Sequence, residues 1–249
     1  NDCYKRGKYI TPKGIMVHST GSNNPNLKRY VGPDDGLLGV NQNNNHWNRP
    51  DVGACVHAFI GLLADGTIAT YQTLPWNMRG WHCGDDANST HISFEICEDD
   101  LTDPEYFAAV YREAVELTAY LCEMYGLDPI EDGVVICHAE GARLGIASNH
   151  GDVEHWFPRF GKSMDDFRQA VAEEMEDENM TYEKWKEYME QYRKELREQP
   201  GSDWFQQQDQ AAVEALGIFK PDGVVTYPQD LITREQVGAL FARYDERRG

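Results

Sequence analysis

Two short, strongly apolar runs that each end in a histidine constrain the fold more than any other feature of the sequence. They are residues 14–18 (GIMVH) and residues 134–138 (VVICH). Runs this short and this apolar are typical of strands buried within a sheet. Because open sheets present site residues at the ends of their strands, His18 and His138 are the first candidate functional residues.

Three further patterns add strands and helices to these two runs. Residues 54–63 and 67–72 are β-rich and flank Asp65 and Gly66, which predicts a hairpin. Residues 91–97 alternate between apolar and polar or small side chains, which places Glu95 on the face opposite Phe94. Helices are predicted after Asp103, up to residue 126, and over residues 163–175. The first part of the chain is therefore predicted to be a mixed α/β domain.

Charge and hydropathy exclude several classes of protein. The formal net charge of −19 and the isoelectric point of about 4.7 argue against nucleic-acid binding. No apolar run approaches the ~18–20 residues of a membrane helix, so no membrane insertion is expected. The first residues lack the apolar segment of a signal peptide. The six cysteines form no C-x-x-C pair and are expected to be buried free thiols.

Composition divides the chain into three predicted parts. Residues 1–175 form the mixed α/β domain. Residues 176–202, rich in Glu, Lys and Tyr, are a charged helical linker that ends near Pro200 and Gly201. Residues 203–249 form a small unit of two helices, which is too short to be very stable alone and is expected to pack on a neighbour or a second chain.

The two strand-end histidines suggest a metal site. Catalytic zinc is held by three protein ligands, drawn from imidazoles with a carboxylate or thiolate, and keeps one position open for water. A third ligand should therefore follow His138 in the sequence. The residue types leave His150, Asp152 and His155 as candidates.

Six stretches, in order along the chain, carry a resemblance to a known family. They are MVHST (16–20), HAFIGLLADGTIATYQ (57–72), RGWHCG (79–84), HISFEIC (91–97), ICHAEG (136–141) and HGDVEHWFP (150–158). Together they resemble the zinc-dependent type-2 N-acetylmuramoyl-L-alanine amidases, a class that includes phage endolysins, bacterial autolysins and animal peptidoglycan-recognition proteins. The resemblance covers about residues 10–172 and implies an α+β fold with a mixed central sheet flanked by helices.

The resemblance also assigns roles to individual residues. It implies that His18, His138 and Asp152 hold one Zn²⁺ per chain, with His155 as the rival third ligand. Glu95 matches the family glutamate that acts as general base. His150 stands where the family pattern has a lysine, and it is expected to stabilise the oxyanion. The implied reaction is hydrolysis of the amide between the lactyl group of N-acetylmuramic acid and L-alanine of the stem peptide.

Other residues are candidates for binding substrate or cell wall. Trp47, Trp81 and His82 are candidates to line a glycan or peptide groove, with core packing as the alternative. Residues 203–244 resemble a single S-layer-homology repeat, which implies binding of wall polysaccharide. The alternative for this unit is a helical hairpin that docks on the catalytic domain or dimerises the chain.

The resemblance implies a partner, a place of action and a set of rival functions. Bacterial peptidoglycan is the expected partner, and a chain without a signal peptide is expected to be made in the host cytoplasm and released to act on the wall. The rivals are a non-catalytic peptidoglycan-binding protein on the same fold and a wall-anchoring adaptor with a vestigial amidase domain.

Overall fold

A five-stranded sheet organises the molecule, in a computed structural model that describes residues 2–49, 51–178, 186, 188–192 and 194. The strands are β1 (Gly14–Ser19), β2 (Ala58–Leu62), β3 (Ile68–Gln72), β4 (His91–Ile96) and β5 (Val135–Cys137), in the order β3-β2-β4-β1-β5. All neighbours are parallel except the β2–β3 hairpin. The four parallel strands therefore end at one edge of the sheet.

The two faces of the sheet carry different side chains because strand residues alternate between faces. Ile15 and Val17 of β1 and Phe94 of β4 belong to the main hydrophobic core. Their neighbours His18 and Glu95 point to the opposite face, and these two residues are register partners across β1 and β4. The sheet thus separates an apolar core on one side from a polar site on the other.

The two longest of the described helices cover the apolar face of the sheet. The elements are α1 (Asp2–Arg6), α2 (Pro104–Tyr125), α3 (His138–Arg143) and α4 (Met164–Glu178), with short 3-10 helices at Leu27–Arg29, Asp86–Ser89, Asp152–His155 and Phe157–Phe160. Helices α2 and α4 pack against each other and contribute to the main core. None of the helices within the described residues is both long enough and apolar enough to cross a bilayer.

The local signals in the sequence explain where α2 begins and ends. The carboxylate of Asp103 accepts hydrogen bonds from the backbone N–H groups of Glu105 and Tyr106, as an N-cap does. Gly126 ends the helix with a left-handed backbone (φ 63°), which a residue without Cβ adopts at little cost. The predicted bounds of this helix are confirmed.

Other local predictions are confirmed with small shifts. The hairpin turns at Asp65 and Gly66, whose φ is +86°. The run at 134–138 is a strand only to Cys137, and His138 instead begins α3. All six cysteines are free and buried. The fold class, a mixed sheet flanked by helices, is the one predicted.

The C-terminal predictions lie mostly outside the described residues. The chain divides into two units between Asn179 and Met180, and the five-stranded sheet lies wholly in the first. The predicted unit at 203–249 lies entirely outside the described residues, as does most of the linker at 176–202.

Candidate metal centre

Three side chains from separate parts of the chain meet at the carboxyl edge of the sheet. His18 lies near the end of β1. His138 directly follows β5, the strand that pairs with β1. Asp152 begins the 3-10 helix Asp152–His155, and its backbone adopts φ of +41°. This conformation is uncommon for a residue with a side chain, and such strain clusters at functional sites.

The three side chains converge on one point. Asp152 Oδ2 lies 2.9 Å from His138 Nδ1 and 3.6 Å from His18 Nδ1. One ligand atom from each residue falls within 4.8 Å of the other two, and this is the group in the described part of the chain with the composition of a metal site. The structure therefore brings together the three residues that the resemblance assigns to zinc.

The electrostatics of the cluster favour a carboxylate facing two imidazoles. Burial alone would raise the pKa of Asp152, but the rings of His138 and His18 outweigh burial and hold this pKa below its ordinary range. Burial lowers the pKa of His18, and Asp152 opposes that shift only in part. An ionised Asp152 and an unprotonated ring nitrogen on His18 are the protonation states that metal ligands need.

The donor set fits a zinc ion. Asp152 Oδ2 is buried and makes no hydrogen bond of normal geometry, so its lone pairs remain available. Two imidazole nitrogens and one carboxylate oxygen are ligands that zinc accepts, and three protein ligands leave a fourth position for water or substrate. The residues present at this site therefore match the requirements of a catalytic zinc centre.

Glu95 lies beside the cluster in a desolvated position. Its side chain is buried, with 8% of the residue exposed, and Oε2 has no hydrogen-bond partner. Burial raises the pKa of Glu95 well above its ordinary value, and the negative charges of Asp152 and Glu98 add to this shift. A carboxyl group with a raised pKa beside a candidate metal site is suited to take up and return a proton.

The two remaining histidine candidates differ in position. The His150 ring packs against the His138 ring, with centroids 4.8 Å apart, and is exposed to solvent. His155, the rival third ligand, instead places Nε2 3.1 Å from Glu98 Oε1 and lies outside the converging cluster. The geometry thus sets His150 next to the site and ties His155 to a carboxylate elsewhere.

The three candidate groove residues occupy three different environments. Trp81 is 44% exposed, and the Arg79 guanidinium lies over its ring. Trp47 is partly buried and packs edge-on against Phe59 in a secondary hydrophobic cluster. His82 contacts one member of the metal-ligand cluster, with its Nδ1 3.0 Å from His18 Nε2.

Sequence reasoning missed several polar groups near the centre. Ser148 Oγ lies 3.1 Å from His138 Nε2 and 2.9 Å from the carbonyl oxygen of Cys83. The amide oxygen of Asn88 accepts from the backbone N–H groups of His82 and Cys83. A lone serine or asparagine carries no motif, so only the folded arrangement reveals these contacts.

Comparison with known proteins gives a consistent family assignment. A family model described as N-acetylmuramoyl-L-alanine amidase matches residues 8–155. No curated protein sequence matches the chain. Among solved structures, the Staphylococcus aureus hydrolase AmiA in complex with its ligand is similar with a TM-score of 0.51 and 22% identity, covering 68% of this chain and 78% of that one. This likeness supports the fold alone.

Two further structures show weaker similarity. A mutant endolysin from Bacillus subtilis has a TM-score of 0.45 and 25% identity, covering 66% of this chain and 88% of that one. The N-acetylmuramoyl-L-alanine amidase LysC from Clostridium intestinale has a TM-score of 0.32 and 18% identity, covering 55% and 87%.

Proposed function

The chain belongs to the N-acetylmuramoyl-L-alanine amidase family, and from this premise we propose that it is a zinc-dependent hydrolase of bacterial peptidoglycan. The bond cleaved is the amide between the lactyl group of N-acetylmuramic acid and L-alanine of the stem peptide. The observation that carries the proposal is the convergence of His18, His138 and Asp152 at the sheet edge, with Glu95 as the strand neighbour of His18.

His18, His138 and Asp152 would hold the zinc ion. When bound, zinc supplies Lewis acidity, which lowers the pKa of a water molecule toward ~7 and polarises an amide carbonyl. The two neutral imidazoles and one carboxylate carry a total charge of −1, so a dication leaves the centre net positive. A net positive centre favours a developing oxyanion.

Glu95 is the proposed general base. Its carboxylate would accept the proton of the attacking water and return it to the leaving amine of alanine. The raised pKa of Glu95 favours holding that proton between the two steps, and the nearby dication would offset part of the shift that burial produces. No serine or cysteine nucleophile is required, because water attacks the carbonyl directly.

His150 is proposed to assist at the open side of the centre. Its ring lies against His138 and is exposed, so it can reach a substrate that approaches from solvent. A ring N–H in this position can donate a hydrogen bond to the oxyanion, as the family lysine does with its ammonium group. This role would depend on pH in a way that a lysine would not.

Residues and segments outside the metal centre have proposed roles as well. Trp81, which is exposed, and Trp47 are proposed to contact glycan or peptide. Residues 1–175 are proposed to form the catalytic domain, 176–202 a linker, and 203–249 a unit that binds wall polysaccharide or dimerises the chain. The site of action is proposed to be the cell wall of a bacterium.

The test is the appearance of new amino termini in peptidoglycan. The full chain is incubated with purified, protein-free sacculi, and the released amino groups are labelled and identified after acid hydrolysis. The proposal predicts N-terminal alanine and no new reducing sugar ends. Release of a different amino-terminal residue would indicate a peptidase, and binding to sacculi without release would indicate a non-catalytic wall-binding protein.

A further inference from the structure

Both metal-site histidines use one ring nitrogen toward Asp152 and the other toward a residue outside the ligand set. The Nδ1 atoms of His18 and His138 face Asp152. Their Nε2 atoms face His82 Nδ1 at 3.0 Å and Ser148 Oγ at 3.1 Å. A neutral imidazole carries its proton on only one nitrogen, and a metal-binding nitrogen must carry none. The contacts at Nε2 therefore decide whether Nδ1 is free.

The direction of the hydrogen bond at Ser148 follows from its second partner. Ser148 Oγ lies 2.9 Å from the carbonyl oxygen of Cys83, and a carbonyl can only accept. The single hydroxyl proton of Ser148 is thus given to Cys83, and toward His138 the oxygen acts as acceptor. His138 must then carry its proton on Nε2, which leaves the Nδ1 lone pair directed at Asp152.

One segment supports both histidines. His82 contacts His18 directly, and Cys83 reaches His138 through Ser148. The backbone N–H groups of His82 and Cys83 donate to Asn88 Oδ1 at 2.7 and 3.2 Å, and Asn88 is fully buried. The two outer contacts are therefore held in fixed relation to each other.

We propose that Ser148 and His82 are positioning residues: Ser148 fixes the Nε2–H tautomer of His138 and so leaves its Nδ1 free to bind the metal, and His82 holds the His18 ring in place through its Nε2. The inference rests on the zinc site proposed above. It moves His82 from the groove-lining role expected from the sequence to a supporting role behind a ligand. Outer hydrogen bonds of this kind orient metal ligands and raise their basicity.

The experiment pairs a disruptive with a conservative variant at each position. Ser148→Ala removes the acceptor, whereas Ser148→Thr keeps it. His82→Leu removes the hydrogen-bond partner of His18, whereas His82→Asn keeps a side-chain amide near the position of Nδ1. Zinc dissociation constants are measured by competition with a chromogenic chelator, and histidine tautomers are read from ¹⁵N-edited spectra of the zinc-free protein at pH 8. Circular dichroism checks that each variant is folded.

The expected result is zinc binding weaker by roughly ten- to hundredfold in Ser148→Ala and His82→Leu, with most of the affinity restored in Ser148→Thr and His82→Asn. In wild type, His138 should be the Nε2–H tautomer, and Ser148→Ala should show a mixture. Dissociation constants within twofold of wild type in both disruptive variants, or an Nδ1–H tautomer at His138, would overturn the proposal.

A metal-ligand control separates this proposal from the proposed function. His18→Ala should abolish high-affinity zinc binding. If wild type binds zinc no better than His18→Ala, the zinc site itself is wrong, and the His138 tautomer still decides whether Ser148 positions that ring. If wild type binds zinc tightly and the disruptive variants do too, only the positioning role is wrong.

Discussion

Acid conditions should destabilise the fold through His57, which accepts a second proton in the folded protein only at a low pH. His57 directly precedes β2 and is fully buried. Its Nδ1 accepts from the backbone N–H of Ser93 at 3.0 Å, and its Nε2 therefore carries the proton and donates to the carbonyl of Met78 at 2.7 Å. Protonating Nδ1 would set two N–H groups against each other without solvent to compensate.

The size of the effect follows from the pKa. Burial lowers the pKa of His57 from 6.5 to about 4. Because the folded-state pKa lies below that of the unfolded chain, the unfolded state binds more protons between these two values. Stability is therefore fully present above pH 6.5 and falls as the pH drops toward 4. Between pH 7 and pH 5, the loss due to His57 alone is about 2 kcal/mol.

Urea unfolding of wild type and His57→Gln at pH 7 and pH 5 isolates the contribution of His57 to the pH dependence of stability. Glutamine keeps a donor toward Met78 but does not titrate, so the other histidines contribute equally in both proteins. A chelator is present throughout to remove pH-dependent metal binding. The variant is expected to be less stable at pH 7, yet to lose about 2 kcal/mol less than wild type on acidification.

An equal loss of stability in the two proteins would refute the role given to His57. If wild type and His57→Gln lose the same free energy of unfolding between pH 7 and pH 5, His57 does not have a lowered pKa in the folded protein. A loss of stability on acidification that is larger in His57→Gln than in wild type would contradict the sign of the linkage.

Three further substitutions test separate parts of the structure. Glu95→Gln, which keeps size but removes the base, should lower kcat by about 10²- to 10⁴-fold while zinc content stays at the wild-type level; a small loss would assign the proton transfer elsewhere. Gly14→Ala should cost about 1–3 kcal/mol in urea unfolding, because a Cβ would lie 2.5 Å from the carbonyl oxygen of Val134; an unchanged midpoint would contradict this packing. Asp103→Ala should cost about 0.5–2 kcal/mol by loss of the α2 cap, and Asp103→Asn should restore most of it.

The parts of the fold that the sequence predicts are those with local causes. The hairpin at Asp65 and the bounds of α2 follow from turn and cap residues whose effects act within a few positions. The alternation in β4 places Glu95 on the polar face without knowledge of its neighbours. These features are predictable because the energies of turns, caps and strand alternation depend mainly on residues close in the sequence.

The candidate site was predictable only in part, because its remaining contacts depend on tertiary structure. Register in the motif at 150–158 favoured Asp152 over His155, but only the fold shows His155 engaged with Glu98. The contact between His82 and His18 joins residues 64 positions apart, and no periodicity encodes it. Likewise, Ser148 donates its hydroxyl proton to the carbonyl oxygen of Cys83, a residue 65 positions away.

Zinc content measured together with alanine release, in wild type and in Asp152→Ala, tests the central claim most directly. The full chain is purified without added metal and then loaded, metal is quantified by mass spectrometry, and new N-terminal alanine is counted on purified sacculi. The account predicts one zinc per chain and alanine release in wild type, with both lost in Asp152→Ala. Wild type without zinc and without new amino termini would contradict the account, and zinc retained in an inactive Asp152→Ala would remove Asp152 from the ligand set.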